Sequence, residues 1–377
     1  MVGGAARIDW AYPRGMRGAP TLPKAGAATK AAATPTPAES PAAPPEAAKE
    51  AKTGGRTPKV TPPSGGPSAA TSLADSEEYL NLLWWGREGS GKTTDLATAA
   101  NRGRTLVVNA EGGLKKKPLR DWGIDLNNIV PWPDRTRSEL EINYDTMDQL
   151  LWQLKAELLA DPGSWYAVGW DSGSELYDAF VADVRAAEVE RNNRYPESSP
   201  KRKEFRENPF FTDRGDYGIA TEQLRTLLRR YQDLPCHFLV TALERRDIDA
   251  DTSEVVYGPA VGPAFQKSLL GYVDVVLAVK ASELRVGPDP ETDVVDVYRA
   301  QVHTTGRNRA KDRLKSLPRV MANPTFERIL AYVNEELTEA DDPVQKEYLE
   351  ARAEHKRWTE GKAASTGGED AEGDTAE

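Results

Sequence analysis

Residues 86–93 read G-R-E-G-S-G-K-T, a G-x-x-x-x-G-K-T loop. Glycines at these positions let backbone N–H groups converge on one point, and a converging nest of donors suits phosphate. The loop constrains the fold because it works at the seam between a strand and a helix, where the helix N-terminus adds its positive pole. Both flanks comply: the apolar run "YLNLLWW" (79–85) precedes it and a helical pattern from Thr93 to Asn101 follows. Gly86, Arg87, Glu88, Gly89, Ser90, Gly91 and Thr94 therefore read as the cradle of a triphosphate. Lys92 reaches the β and γ phosphates, and the Thr93 hydroxyl ligates Mg2+. ATP is the expected nucleotide, and the chain has no guanine-reading N-K-x-D motif.

The 377 residues suffice for one large domain or two small ones, but the two ends differ from the middle. Residues 1–75 are rich in Ala, Pro, Gly, Thr and Lys, with almost no large apolar residue after Tyr12. Such a segment cannot bury enough surface to offset its ordering entropy, so it reads as a disordered arm. The polar, acidic end (338–377) reads as a solvated tail, which leaves 76–337 as the folded domain. The net charge of -10 divides as +4 over residues 1–75 and -9 from Glu335 onward, leaving about -5 for the middle. That balance argues against a molecule coated in nucleic acid and leaves room for a local basic groove. A single cysteine, Cys236 in "PCHFLV", excludes an intramolecular disulfide framework and a multi-cysteine zinc site. Without an apolar run of membrane-spanning length or a signal-like start, the expectation is a soluble protein of the cytoplasm with no membrane partner.

Between Ser76 and Leu337 short apolar runs alternate with helical patterns, the signature of an α/β domain with a mainly parallel sheet. Strands are expected at 79–85, 105–110, 165–171, 237–243, 273–280 and 297–305. Helices are expected at 93–101, 145–159, 174–191, 220–231 and 324–336. In such sheets ligands bind at the carboxyl ends of the strands. "TLVVNAEGG" delivers Glu111 there, either as the carboxylate that activates a hydrolytic water or as a surface acid before a Gly-Gly turn. "WYAVGWDSGSE" delivers Asp171 to the Mg2+ shell, and Ser172 or Ser174 can also make it part of a helix-capping turn. "HFLVTALERR" places Thr241 and Glu244 beside the expected γ-phosphate, where Thr241 is either a sensor of nucleotide state or an ordinary strand-end threonine.

These landmarks in this order resemble the ATPase core of RecA-like recombinases, over roughly 78–336. "DRGDYGIATEQLRTLLRRYQDLPCHFLVTALERR" is similar to the phage-encoded minimal RecA-like proteins of single-strand annealing and recombination. The resemblance implies a RecA-like P-loop NTPase core, an ATPase that oligomerises with its own copies, and single-stranded DNA as partner. It also implies a phage setting in a bacterial host cell, alongside phage or host single-strand-binding or replication proteins. Two departures stand out: Thr241 replaces the glutamine of bacterial RecA, and no RecA-type amino-terminal polymerisation domain is present. "HTTGRNRAKDRLKSLPR" resembles the basic K-x-R element of RadA-type proteins and makes Lys311 and Arg313 candidates for a finger acting on a neighbour's phosphate. A DNA-backbone contact and a solvated basic loop are the competing readings.

The segment from Arg191 to Gly218 is too long for a simple connection. It mixes Arg194, Lys201, Arg202, Lys203 and Arg206 with Phe205, Phe210 and Phe211, the pairing of phosphate-neutralising and base-stacking side chains that single strands need. The phenylalanines can equally anchor the loop to the core. "ERRDIDADTSEVVYGPAVGPAF" reads as a second DNA loop or a hairpin with "DADT" at its tip. The leading expectation is an Mg2+-dependent ATPase acting on single-stranded DNA. The alternatives are a P-loop kinase of a small substrate and a non-catalytic, nucleotide-controlled scaffold of phage replication.

Overall fold

A computed structural model of the chain describes residues 78–134, 141–248, 253–289, 291 and 293–366. The expected arm, 1–75, and the last residues of the expected tail lie outside the described residues. The elements run β1 (Asn81–Gly86), α1 (Lys92–Ala97), β2 (Thr105–Asn109), α2 (Lys116–Asp121), β3 (Ile129–Trp132), α3 (Tyr144–Ala160) and β4 (Ala167–Asp171). They continue with α4 (Gly173–Asn193), α5 (Arg214–Gln232), β5 (His237–Ile248), β6 (Val255–Pro259), α6 (Pro263–Tyr272) and β7 (Val275–Arg285). The last are β8 (Val294–Gln301), β9 (Lys311–Asp312), β10 (Val320–Ala322), α7 (Phe326–Val333) and α8 (Pro343–Thr366). All six expected strands and all five expected helices form, with shifted ends.

The sheet has ten strands in the order β10-β8-β7-β1-β5-β4-β2-β3, with β6 paired to β5 and β9 to β7. Its centre, from β7 to β3, is parallel, and the strands added at its flank and beyond β5 are antiparallel. The fold is mixed α/β. One strand, β5, lies between the strand that feeds the P-loop and the strand that ends in Asp171, which puts Thr241 between the two.

β1 is buried on both faces, as a central parallel strand should be, and its side chains alternate between two cores. Leu83 and Trp85 face the core under α3, α4 and α5, whereas Leu82 and Trp84 face the core under α1 and α7. Each tryptophan N–H is satisfied from the carboxyl-terminal half: Trp84 Nε1 donates to Pro324 O and Trp85 Nε1 to Arg309 O, both at 2.8 Å. The P-loop strand is thereby clamped against segments more than 220 residues away.

The chain does not turn into a solvated tail at residue 338. α8 packs Tyr348 and Ala351 against Leu284, Val297 and Ala322, and Gln345 Oε1 accepts from Ala322 N at 3.0 Å. Few apolar residues carry this contact, and the acidic composition hides them. No helix among the described residues is long and apolar enough to cross a membrane.

Candidate nucleotide site at the carboxyl ends of the strands

The loop from Arg87 to Gly91 carries Gly89 at φ 72° and Gly91 at φ 91°, the left-handed region that glycine enters without strain. Lys92 is buried and its Nζ donates to Gly86 O at 2.9 Å and Arg87 O at 2.7 Å, with Ser90 Oγ at 3.4 Å. Burial lowers its pKa, and the negative charges of Glu111 and Asp171 oppose that shift. The ammonium is thus held over the loop by carbonyls it can exchange for phosphate oxygens, with two carboxylates in range.

Asp171 is fully buried at the end of β4. Thr93 Oγ1 donates to its two oxygens at 3.1 and 3.0 Å, and Thr241 Oγ1 donates to Oδ1 at 2.7 Å. Burial raises the Asp171 pKa, and the hydrogen bonds from Thr241 and Thr93 pull it down. The capping reading holds beside the metal reading: Ser172 is the N-cap of α4 and accepts from Glu175 N at 3.4 Å. Ser174 Oγ accepts from Leu243 N at 2.9 Å and ties the first turn of α4 to β5.

Glu111 is exposed, and its backbone N–H donates to Asp171 O at 3.1 Å, which fastens the loop after β2 onto β4. Two residues on, a Cβ at Gly113 would lie 3.5 Å from Asp171 Oδ2 and 3.6 Å from Thr93 Oγ1. The glycine keeps that volume open where a metal ion and phosphate would stand. No group of three His, Cys, Asp or Glu among the described residues could hold a metal by itself. Thr93 and Asp171 suit Mg2+, which keeps most of its shell for water and substrate phosphate oxygens. The residues present fit a Mg2+–triphosphate, for which Mg2+ would neutralise charge developing on the phosphate.

Residues 78–314 match the AAA domain family, whose members bind and hydrolyse nucleotides through a P-loop. The chain belongs to that family. None of the curated proteins compared with it matches. In this AAA domain the mixed α/β fold agrees with the sequence reading, and Thr93 and Thr241 both bond Asp171, with Lys92 in the adjoining loop and the Glu111 backbone held by Asp171 O.

Three features of the AAA domain's site were not legible beforehand. Arg87 Nε pairs with Glu244 Oε1 at 3.0 Å, joining the P-loop to the strand that carries Thr241. The Tyr298 ring of β8 lies against the P-loop, where a Cβ at Gly91 would come within 3.1 Å of it. Trp122 meets Tyr298 edge-on at 5.9 Å.

Other expected residues lie elsewhere. Lys311 Nζ donates to Leu270 O at 2.8 Å and Val273 O at 2.9 Å, and Arg313 binds Asp274 Oδ1 and Gly271 O, each at 2.9 Å. Lys311 stands opposite Val276, and Val276 opposite Leu83, near the amino end of β1. Leu83 is three residues, about 10 Å, from Gly86 along the strand at 3.3 Å per residue. Here the two cations close the C-terminus of α6, where free carbonyls and the helix dipole attract positive charge.

The basic-aromatic segment hangs from the far end of α4, a helix of 21 residues and about 30 Å. Arg194 pairs with Glu190 at 2.6 Å and Arg202 with Glu207 at 2.9 Å. Lys201 lies over Tyr195 and Lys203 over Phe205, while Phe210 is 81% exposed. Arg206 departs from the DNA-contact expectation. It is buried, and its two terminal nitrogens reach Asp216 at 2.6 and 3.0 Å, with Asp213 at 3.3 Å. The guanidinium spends three of its five N–H donors on these two carboxylates and is buried with them, not presented to phosphate. The second candidate loop is the hairpin of β5 and β6; its tip, 249–252, lies outside the described residues.

Proposed function

We propose that the chain is an Mg2+-dependent ATPase that couples hydrolysis to single-stranded DNA, in the manner of the phage recombination and annealing proteins its sequence resembles. One observation carries the reading. β5 is a single continuous strand in which Thr241, bonded to Asp171, is followed by Glu244, bonded to P-loop Arg87, and then by Arg245 and Arg246 at the root of the β5–β6 hairpin. A change at the phosphates therefore has a short covalent path to a pair of arginines.

Lys92 gives up its loop carbonyls for the β and γ phosphate oxygens. Thr93 and Asp171 hold Mg2+, and Glu111, the exposed carboxylate facing Lys92, orients the attacking water. Thr241 senses the state of Asp171 and passes it along β5. Arg194, Lys201, Arg202, Lys203 and Phe205 supply a second surface for the strand, without Arg206.

The test is steady-state ATP hydrolysis by the full chain with Mg2+, with and without single-stranded DNA, and with Lys92→Ala as the blank. Stimulation of several-fold by DNA, weakening as salt rises, supports the coupling. Hydrolysis indifferent to DNA would leave an AAA ATPase and remove the DNA from the reading.

A further inference from the structure

β7 and β8 form an antiparallel ribbon in which like charges stand directly opposite each other: Lys280 faces Arg299, and Glu283 faces Asp296. Opposed residues share a face and positions three apart fall on opposite faces, so one side of the ribbon carries two cations and the other two acids. A like-charged pair directly across a ladder is destabilising unless something neutralises it. Nothing in the fold neutralises the cations. Lys280 is exposed, half-exposed Arg299 donates through Nε to Ser282 Oγ at 3.3 Å, and neither has a carboxylate partner among the described residues.

The cationic face is that of Ala278, which shares a core with Trp85, and α8 covers it further along, over Leu284 and Val297. Loop 302–310 runs over the same side. Trp85 Nε1 donates to Arg309 O, and Asn308 Nδ2 donates to Gln301 Oε1, opposite Ala278, at 2.9 Å. The loop then joins β6, with Tyr257 N donating to Arg307 O at 2.6 Å and Arg309 N to Tyr257 O at 3.1 Å. Across the hairpin Tyr257 stands opposite Arg246 and Gly258 opposite Arg245, and a Cβ at Gly258 would lie 3.5 Å from Arg309 Cδ.

Lys280, Arg299, Arg307, Arg309, Arg245 and Arg246 thus follow one another from ribbon to loop to hairpin. None makes an ion pair among the described residues, and the acids beside them are Asp247 and Glu254. In segment 191–218, by contrast, Arg191, Arg194, Arg202 and Arg206 each spend charge on a carboxylate. Unpaired cations interleaved with the amides of Gln301 and Asn308 and the half-exposed Tyr257 ring suit a phosphate backbone. A protein partner would want an apolar centre, which the described residues of this surface lack.

We propose that the Lys280–Arg299 face of the ribbon binds the phosphate backbone of single-stranded DNA, and that Arg307 and Arg309 connect it to the arginines of the β5–β6 hairpin. The assignment rests on the DNA reading above and gives the strand its track. A phosphate between Lys280 and Arg299 turns their mutual repulsion into shared attraction.

The experiment follows the fluorescence anisotropy of a labelled oligothymidylate of about twenty nucleotides, titrated with the full chain at several salt concentrations. Lys280→Ala/Arg299→Ala should weaken binding about tenfold or more near 0.1 M salt and reduce the salt slope by about 1.4, or about 0.7 for each of two phosphates. Lys356→Ala/Arg357→Ala removes the same charge from the exposed side of α8 and should stay within about twofold of wild type. The melting temperature of the ribbon variant should equal or exceed that of wild type, because a repulsion has been removed. A lowered melting temperature would make the pair structural and overturn the assignment. Binding by the ribbon variant within about twofold of wild type, or an equal loss in the α8 variant, would overturn it while leaving the DNA reading intact. Polyglutamate competing as well as unlabelled oligonucleotide at equal charge would give the face to an acidic protein instead. A wild type that binds no oligonucleotide would remove the DNA reading and this track together.

Discussion

Lys92 and Lys311 are alike in isolation: each is drawn into the fold, each donates to two backbone carbonyls, and burial lowers the pKa of each. They stand at opposite ends of the parallel strands. The carbonyls under Lys92 belong to the P-loop, and the charges of Glu111 and Asp171 act on the ammonium from nearby. Those above Lys311 end α6, and the lysine completes a helix terminus that has no other use for it. A lysine's role is set by what its carbonyl partners need, and that is decided by topology.

The largest expected effect lies at the carboxyl end. Glu111→Gln should lower ATP turnover by about 10²–10⁴ while nucleotide binding, read by fluorescence titration, stays within a few-fold of wild type. Equal loss of binding and turnover would make Glu111 part of the cradle instead.

Arg206→Ala comes next. Removing one partner of a buried ion pair strands Asp216, and urea denaturation should show a loss of about 3–5 kcal/mol. The exposed Lys203→Ala should change stability by less than about 0.5 kcal/mol. A stable Arg206→Ala protein with weakened DNA binding would return that residue to the nucleic-acid surface.

A smaller effect depends on pH. His237, buried among Tyr79, Tyr166 and Phe326, accepts from Leu80 N through Nδ1 at 3.0 Å, and its pKa is pushed down to about 4 by burial. The unfolded chain takes up this proton near pH 6.5 and the folded one only near 4, so stability is lost as pH falls through that window. About 2 kcal/mol should go between pH 8 and 5, and His237→Gln, whose amide can still accept from Leu80 N, should flatten that part of the profile. An unchanged slope in the variant would assign the loss to other groups.

The site was readable where function and chain order coincide. The P-loop is eight consecutive residues, and Asp171 and Glu111 fall at or just after the ends of the apolar runs that form β4 and β2, whereas Thr241 sits inside β5 and meets Asp171 because β5 pairs directly with β4. Contacts between distant segments were not readable. Tyr298 reaches Gly91 only because β8 joins the flank of the sheet, and Lys311 lies far from the P-loop only because β9 pairs antiparallel with the start of β7. β3 was missed because "IVPW" is short and contains proline, which an edge strand tolerates. Arg206 looked like a DNA contact because its partner, Asp216, belongs to the capping box of α5, a pattern that shows once the helix start is known.

The most direct test of the contrast between the two ends measures ATP hydrolysis and urea stability together for Lys92→Met and Lys311→Met in the full chain. Lys92→Met should abolish turnover and cost about 1–3 kcal/mol, since it strands the buried Gly86 carbonyl. Lys311→Met should cost about 1–2 kcal/mol and keep turnover per folded molecule. If Lys311→Met instead abolishes turnover at unchanged stability, Lys311 acts on phosphate from a neighbouring copy, and the division between a chemical end and a structural end is wrong.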